Sequence, residues 1–440
     1  MIFLRAPFES YHFTCVEADQ CRRFERQHET DASHQESREE NLTEKKRILI
    51  VGAGIGGLTA AGLLLMDGHD VHVFEQAPEL GEVGAGIQVS ANATRVLDKL
   101  GILDALEEAA VHPLRIEFRL HDTAEIVSQI MLGDEHRQKF GAPYLHVYRP
   151  DILRLLVQRV RQLSLTAMHL NKSATHYVED TEGVTLHFKD GTSERGDVLI
   201  GADGIKSVVR AQMHGNEPAN FTGNVAWRVM VPVEKLPPNF QPPIFVNWMG
   251  PQRHMVVYWV NGGRVLNFVG CVEKPEWSEE GWTVKAPWEA LKVDYAGFHQ
   301  DVQTMIDAAD RDKCFCWALN NRPRLPFWST SRVTLLGDSA HPTLPYMAQG
   351  AVMAIEDGAV LARALFEYDN LEQALSRYET ARIDRTSRIV NESTEHAKLY
   401  HLDTHQEFRD AFSRKDPGKD RAGWLYNYDP LSVPLEPVNI

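Results

Sequence analysis

The stretch at residues 47–57 reads RILIVGAGIGG. Its first five residues form a nearly continuous apolar run, which is typical of a strand buried on both faces of a parallel sheet. Leu58–Met66, rich in Ala and Leu, follows as a predicted helix that ends at Gly68, and Asp70–Phe74 is predicted as a second strand. This order of strand, helix and strand predicts an α/β architecture.

The glycine-rich junction fits the pattern G-x-G-x-x-G, which holds the pyrophosphate of a dinucleotide at a helix N-terminus. Gly52 permits a tight turn, Gly54 lets the backbone approach the ligand, and Gly57 lets helix and strand pack closely. Glu75, at the end of the second predicted strand, can accept hydrogen bonds from a ribose diol. The pattern does not distinguish FAD from NAD, and a glycine-rich turn without a ligand is the alternative.

A second motif places an aspartate between a strand and a helix. Arg332–Leu336 is predicted as a buried strand that delivers Asp338 into a loop, where its carboxylate can accept hydrogen bonds from sugar hydroxyls. A helix is predicted to begin near Gly350 and Ala351, so that their backbone N–H groups form a positive helix terminus. His341 lies in the same loop, and we expect a packed loop histidine rather than a catalytic base.

Composition sets the outer limits. The chain has 440 residues, which predicts two packed units, and its net charge of -15 argues against nucleic acid or an anionic membrane as the main partner. No run of about 18 apolar residues occurs, so no membrane-spanning helix is expected. The five cysteines lack the spacing of metal ligands; we therefore expect no metal site and a reducing, cytoplasmic location. The sequence does not determine the oligomeric state.

Changes of composition along the chain predict a discontinuous first domain with a second domain inserted in it. Residues 1–46 are mostly polar and are expected to be a disordered tail. The remaining predicted segments are 47–222 and 325–395 for the two parts of the first domain, 223–324 for a sheet-rich substrate domain, and 396–440 for a C-terminal helix and tail.

One connection in the first domain is predicted from turn chemistry. Val184–Phe188 and Val198–Ile200 have strand composition, and Asp190-Gly191 between them favours a tight turn. We therefore expect a hairpin that returns to the main sheet.

Five segments, in this order, resemble the class A flavoprotein monooxygenases, the family of 4-hydroxybenzoate and salicylate hydroxylases. They are the glycine pattern with Glu75, Glu82–Gln88, Arg149–Leu153, Asp203-Gly204 and Gly337-Asp338. The resemblance covers about residues 47–388 and is greatest to the salicylate hydroxylase branch, especially its fungal members. Residues 424–429 of this chain also resemble the C-terminal tail of that branch. It implies a Rossmann-like FAD-binding domain with an inserted sheet-rich substrate domain, as in 4-hydroxybenzoate hydroxylase.

The resemblance also implies FAD contacts on the adenosine side of the cofactor. Glu75 would hold the adenosine ribose, while Gly86 and Gln88 would lie along the cofactor. Arg149 would reach the ribityl or phosphate region, although a surface ion pair is an alternative for this residue.

Further implied contacts lie nearer the flavin. Asp338 would bind the ribitol and pyrophosphate side, and the backbone amides of Gly350 and Ala351 would reach the pyrimidine edge of the ring. Asp203 would serve both FAD and a transiently bound NADPH or NADH.

The substrate side of the resemblance rests on two residues. An arginine and a tyrosine at the positions of Arg228 and Tyr258 contact the substrate in related aromatic hydroxylases. Arg228 could bind a phenolate or carboxylate and Tyr258 could relay a proton; an ion pair and a core tyrosine are the alternatives. Trp227 stands near where some relatives have a base, so Tyr258, His254 or water would have to deprotonate a phenol.

The resemblance implies a monooxygenase that uses FAD, NADPH or NADH, and dioxygen to hydroxylate a small aromatic substrate through a flavin C4a-hydroperoxide. An enzyme that epoxidises or dearomatises a polyketide-type secondary metabolite is the alternative within the same fold. An NAD-dependent dehydrogenase and a non-catalytic flavin-binding protein are alternatives from other classes.

Overall fold

A computed structural model describes residues 44–81, 85–216, 218–277, 284–414 and 422–436. Residues 1–43, which hold almost all of the predicted tail, and residues 82–84 of the predicted cofactor segment lie outside the described residues.

The strands follow one another along the chain as β1 (Arg47–Val51), β2 (Asp70–Phe74), β3 (Gly86–Val89), β4 (Arg115–Leu120), β5 (Ile126–Met131), β6 (Leu145–Tyr148), β7 (Met168–His169), β8 (Ala174–Glu179), β9 (Val184–Phe188), β10 (Ser193–Gly196), β11 (Val198–Gly201), β12 (Asn220–Pro232), β13 (Phe245–Gly250), β14 (Arg253–Val260), β15 (Val265–Glu273), β16 (Phe315–Asn321) and β17 (Val333–Leu335).

The α-helices are α1 (Ile55–Met66), α2 (Ala91–Lys99), α3 (Leu103–Ala109), α4 (Gly133–Phe140), α5 (Arg149–Leu163), α6 (Val208–His214), α7 (Trp288–Asp294), α8 (Gln300–Asp307), α9 (Gly350–Glu367), α10 (Leu371–Tyr400) and α11 (His405–Arg414). None of the helices in the described ranges has the length and apolar composition needed to cross a bilayer.

The first domain is built on a parallel five-stranded sheet in the order β17-β11-β1-β2-β7. β1 is central because its apolar side chains are covered on both faces: Ile48, Leu49 and Ile50 are fully buried. α1 packs against α5 and α9. The predicted α/β, Rossmann-like first domain is therefore confirmed.

The predicted hairpin at Asp190-Gly191 is wrong in its pairing. β9 turns there into β10, and β8, β9 and β10 form a separate antiparallel sheet. β11 instead pairs in parallel with β1. Turn chemistry located the turn correctly, but the polar strand Ser193–Gly196 has no apolar pattern by which the sequence could reveal it.

The second domain is a seven-stranded sheet in the order β16-β12-β15-β14-β13-β4-β5. All its pairings are antiparallel except that of β13 with β4. β4 and β5 precede residue 223, so the sheet extends beyond the predicted range 223–324. This addition depends on pairing between strands far apart in the chain, which no local pattern reports.

The two faces of this sheet are covered by different parts of the chain, because successive side chains of a strand point to opposite sides. On one face, Trp227, Trp248 and Phe268 pack with the short helices α7 and α8. Trp227 donates a hydrogen bond from Nε1 to the Asp294 carboxylate of α7 at 2.6 Å. The opposite face, which includes Tyr258, packs in a different cluster and borders the candidate site.

Helices α9 and α10 are joined by a buried charge cluster. Arg382 of α10 binds Glu356 at 2.6 Å and Asp357 at 2.7 Å, and Arg385 binds Glu356 at 2.8 Å. Asn92 of α2 donates to Glu356 at 2.6 Å. Burial raises the pKa of Asp357, but the charges of His341 and Arg382 outweigh burial and lower that pKa to about 2.

We predict that Arg382→Met destabilises the protein strongly, because two carboxylates would lose a buried partner. Breaking a buried ion pair from one side costs about 3–5 kcal/mol in the free energy of unfolding. Urea unfolding followed by circular dichroism measures this loss. Lys398→Met, which removes an exposed cation of the same helix paired with Glu395, is the control and should change the free energy by under about 0.5 kcal/mol. Equal effects of the two substitutions would contradict the role of the cluster.

Candidate active site

The glycine-rich turn between β1 and α1 has the shape of a dinucleotide cradle. Gly52 has a φ of +103°, and a Cβ at this position would lie 2.4 Å from the Ala202 carbonyl oxygen. A Cβ on Gly57 would lie 2.1 Å from the Gly52 oxygen. A Cβ on Gly54, by contrast, would meet no described atom within 4 Å. Two glycines thus let the backbone pack, and the third faces open space.

The N-terminus of α1 fits a negatively charged group. Neither a capping side chain nor an acidic residue in the first turn satisfies its N–H groups. Glu75 accepts hydrogen bonds from the backbone N–H groups of Ala53 at 3.0 Å and Ala77 at 2.9 Å, which fixes the glycine turn against the end of β2. The turn therefore presents oriented backbone donors, as a pyrophosphate requires.

Asp338 follows β17 in a tight turn. No residue of the described ranges donates a hydrogen bond to its partly buried carboxylate. Burial raises the pKa of Asp338, while the nearby charges of His341 and Arg149 lower it. A carboxylate without a protein donor, beside a cation, suits the hydroxyl groups of a bound cofactor.

The N-terminus of α9 forms a second positive helix end. Gly350 and Ala351 lie in its first turn, and no side chain caps it. Gln349, just before the helix, is held by the side chains of Ser90 and Asn92. Ala348 has a φ of +55°, a conformation that costs a non-glycine residue about 1–3 kcal/mol and is concentrated at functional sites.

Asp203 lies after β11 and closes the loop before α6. Its carboxylate accepts from the Ser207 hydroxyl at 2.5 Å and from the Val208 N–H at 2.7 Å. Burial raises the pKa of Asp203. The guanidinium group of Arg210 is close by, and burial together with the charge of Arg322 lowers its pKa to about 10.

A narrow cavity lies between the seven-stranded sheet and the loop Pro345–Ala348 that precedes α9. Its walls are mainly aromatic and apolar, and they include Phe118, Phe245 and Met347.

Polar groups enter the cavity at a few points, including Asn247, His254 and Gln88. Asn247 is buried, and no described residue donates a hydrogen bond to its Oδ1 atom. Gln88 accepts from the Tyr144 hydroxyl at 2.5 Å. A few polar groups within an apolar wall can orient a small aromatic ring.

The two predicted substrate residues lie beside this cavity. Arg228 pairs in register with Val269, a residue of the cavity wall, and therefore points to the same face of the sheet. Tyr258 is only 3% exposed; burial raises the pKa of its hydroxyl, and Arg228 and a hydrogen bond with Gln88 act in the opposite direction. Tyr258 also packs closely against Gly86, because a Cβ on Gly86 would lie 2.7 Å from the ring of Tyr258.

Sequence reasoning missed Asn247 of the cavity wall and named His254 only as an alternative base. Asn247 lies on β13 without any motif, and His254 was one of three candidate bases. The strand period of two could have indicated His254. It lies four residues before Tyr258 on β14, so both side chains point to the same face of the sheet. His341, in contrast, is buried and binds Asp357 at 2.6 Å, as expected of a packed loop histidine.

The chain matches the model of one protein family, described as FAD binding domain, over residues 45–393. It is 37% identical to a 6-hydroxynicotinate 3-monooxygenase of Pseudomonas fluorescens, over 90% of this chain and 98% of the relative. It is 36% identical to a 3-hydroxybenzoate 6-hydroxylase of Polaromonas naphthalenivorans, over 87% of this chain and 96% of the relative.

Solved structures with the same fold include two complexes. Klebsiella pneumoniae HpxO with FAD and uric acid has a TM-score of 0.78 and 26% identity, covering 90% of this chain and 99% of that one. A salicylate hydroxylase substrate complex has a TM-score of 0.74 and 26% identity, covering 88% and 96%.

We predict that two alanine substitutions in the glycine turn affect different properties, one the stability of the protein and the other its affinity for FAD. Gly57→Ala should lower the melting temperature, because its Cβ would overlap the Gly52 oxygen. Gly54→Ala should keep the parent melting temperature yet bind FAD about tenfold more weakly or worse, because its methyl group would occupy the space that the ligand approaches. Thermal unfolding and FAD fluorescence titration measure the two effects. Parent-like FAD affinity of Gly54→Ala would contradict the cradle.

Proposed function

This chain belongs to the FAD-binding monooxygenase family, and from that premise we propose that its substrate is a small aromatic acid with an ionisable ring hydroxyl group. The chain is an FAD-dependent enzyme that hydroxylates an aromatic compound at the expense of NADPH or NADH and dioxygen. The observation that supports the substrate class is the small apolar cavity, with Asn247 and His254 in its wall and Arg228 on the same sheet face.

The described residues fit FAD, and we propose that the residues predicted from the sequence hold it. Gly52, Gly54 and Gly57 would receive the pyrophosphate at α1, and Asp338 would accept from hydroxyl groups of the cofactor. When bound there, FAD would supply the activation of dioxygen that hydroxylation of the ring requires.

Further residues would complete the cofactor site. Glu75 would hold the adenosine ribose in addition to the glycine turn, and Gly86, Gln88 and Arg149 would line the cofactor channel. The N–H groups of Gly350 and Ala351 would bind the electron-rich edge of the flavin, because the uncapped start of α9 is electropositive.

Protein residues then prepare the ring for attack. An electron-rich ring reacts faster with an electrophilic oxygen, so loss of the hydroxyl proton activates the substrate. His254 is the favoured base, since it lines the cavity, whereas burial raises the pKa of Tyr258 and keeps it protonated. Tyr258 would form a hydrogen bond with Gln88, and Arg228 would bind the negatively charged group of the substrate.

The reductant would approach near Asp203. A second cavity is lined by Arg322, Arg324 and Trp328. The mutual repulsion of Arg210 and Arg322 would be relieved by a phosphate group between them. This arrangement supports transient binding of NADH or NADPH at this surface.

We place the chain with salicylate hydroxylase-like enzymes, and its fungal origin stays a prediction because the relatives compared above are bacterial. The small cavity favours a single-ring substrate over a polyketide-type secondary metabolite.

The central test uses the purified protein loaded with FAD. We expect NADH or NADPH oxidation to be stimulated by at least one of 6-hydroxynicotinate, 3-hydroxybenzoate and salicylate, with one atom of isotope-labelled dioxygen in the product by mass spectrometry. Stimulation by larger, multi-ring phenols alone would overturn the substrate class.

We predict that Arg228→Met keeps FAD but uncouples reductant use from product formation. Loss of a charge-assisted hydrogen bond, worth about 1.5–3 kcal/mol, should weaken binding of an aromatic acid about 10–100-fold. Hydrogen peroxide, flavin content and product are measured together. Arg264→Met, at an exposed turn of the same sheet, is the control and should behave like the parent. Parent-like coupling in Arg228→Met would refute its assignment.

A further inference from the structure

A continuous hydrogen-bonded chain leads from the substrate cavity to the protein surface. His254, which lines the cavity and is 1% exposed, has its Nδ1 atom 2.8 Å from Nε2 of His401. The Nδ1 atom of His401 lies 2.8 Å from Oε1 of Glu273. The side chain of Glu273 is 45% exposed. Three side chains from β14, the end of α10 and the end of β15 thus connect a buried site with water.

The carboxylate at the outer end fixes the direction of every hydrogen bond in this chain. A carboxylate can only accept, so Nδ1 of His401 carries the proton and donates it to Glu273. The Nε2 atom of neutral His401 must then accept, and Nδ1 of His254 donates to it. In neutral His254 the remaining nitrogen, Nε2, consequently has a lone pair. No described residue forms a hydrogen bond with that nitrogen.

We propose that His254, His401 and Glu273 form a proton relay, which takes the hydroxyl proton of the substrate from the cavity to solvent. The proposal rests on the proposed function, because it requires a substrate with an ionisable hydroxyl group. It adds His401 and Glu273, two residues outside the cavity wall, to the reaction.

The relay balances as a series of proton transfers without any redox step. The substrate O–H bond breaks and an N–H bond forms at Nε2 of His254, while the proton on its Nδ1 moves to Nε2 of His401. The proton on Nδ1 of His401 moves to the Glu273 carboxylate and from there to water. Transfer in the reverse direction, when the product takes up a proton before release, restores the starting tautomers.

Burial explains why a single histidine would not suffice. Burial, and secondarily the neighbouring His401, lowers the pKa of His254 well below its usual value, so a protonated His254 is not stable in the cavity. Burial also lowers the pKa of His401, but Glu273 opposes that effect. The groups packed around His254 are the rings of Tyr346 and Tyr400 and, across the sheet, Cys271. A proton taken from the substrate therefore has to pass outward to Glu273.

A purely structural role is the competing explanation, since the same hydrogen bonds fasten the end of α10 to the sheet. The two roles differ in one measurable respect. A fastening role predicts changes in stability or ligand affinity, whereas a relay predicts a change in the rate of proton transfer at unchanged affinity.

The test follows deprotonation of a coloured substrate analogue in the FAD-loaded enzyme. 3-Hydroxy-4-nitrobenzoate is mixed with the enzyme in a stopped-flow instrument, and the absorbance of its phenolate is recorded. We expect His401→Gln to slow the appearance of phenolate about tenfold or more, with flavin content unchanged and the dissociation constant within about threefold of the parent.

Glu273→Gln provides a second, surface-exposed variant that should fold even if His401→Gln does not. It should slow phenolate formation, and small diffusible bases such as imidazole should restore the rate because they can take the proton from His401. His396→Gln is the matched control. It removes a histidine of the same helix that bonds to the Glu392 carbonyl oxygen, and it should keep the parent rate.

Parent-like rates in both relay variants would overturn the proposal, as would an equal slowing in His396→Gln. Turnover of the ring acids by the same preparations separates this failure from that of the proposed function. If the parent enzyme binds the nitro analogue and hydroxylates a ring acid while the variants deprotonate normally, only the relay is wrong. If the parent neither binds the analogue nor responds to any of the acids, both the proposed function and the relay that rests on it are overturned.

Discussion

The candidate site depends on a pair of adjacent carboxylates, Glu356 and Asp357, that are fully buried in α9. Such charges are tolerated only with partners, and Arg382 and Arg385 of α10 supply them. Asp357 also accepts from the backbone N–H of Gly337 at 2.9 Å and binds His341. One cluster therefore fixes the Asp338 loop, the start of α9 that faces the proposed flavin, and the long helix that ends next to His401. Because a buried charge without a partner is costly, this cluster holds the three elements in one arrangement.

One face of the seven-stranded sheet packs in the apolar core, and the other face borders the candidate site. Trp227 and its neighbours are sealed under α7 and α8, where they form a compact apolar layer. Side chains of the other face line the cavity, so a change of one residue in strand register would exchange the two sets. Arg228 thus points toward the site because Trp227, next to it, points away. Trp227 cannot act as a base, and its packing in the core explains why an aromatic residue stands at this position.

Local charge is arranged independently of the negative net charge of the protein. Cationic groups gather at three places: Arg149 near Asp338, Arg228 near the cavity, and Arg210 with Arg322 near Asp203. In the proposed function, each of these groups would meet a negative part of a cofactor or of the substrate. The proposed base, His254, lies in an apolar wall, where a low dielectric would strengthen each remaining polar contact.

The sequence by itself determined what depends on short-range patterns. The apolar run of β1, the glycine turn and the Gly337-Asp338 loop each combine a strand with turn chemistry, and these predicted the α/β domain and a dinucleotide at the glycine turn. Tertiary structure alone decided the pairing of β4 with β13, the burial of His341 against Asp357, and the contact of His254 with His401. These contacts join residues remote in sequence, and their free energy arises only after folding has removed them from water, so no local pattern encodes them.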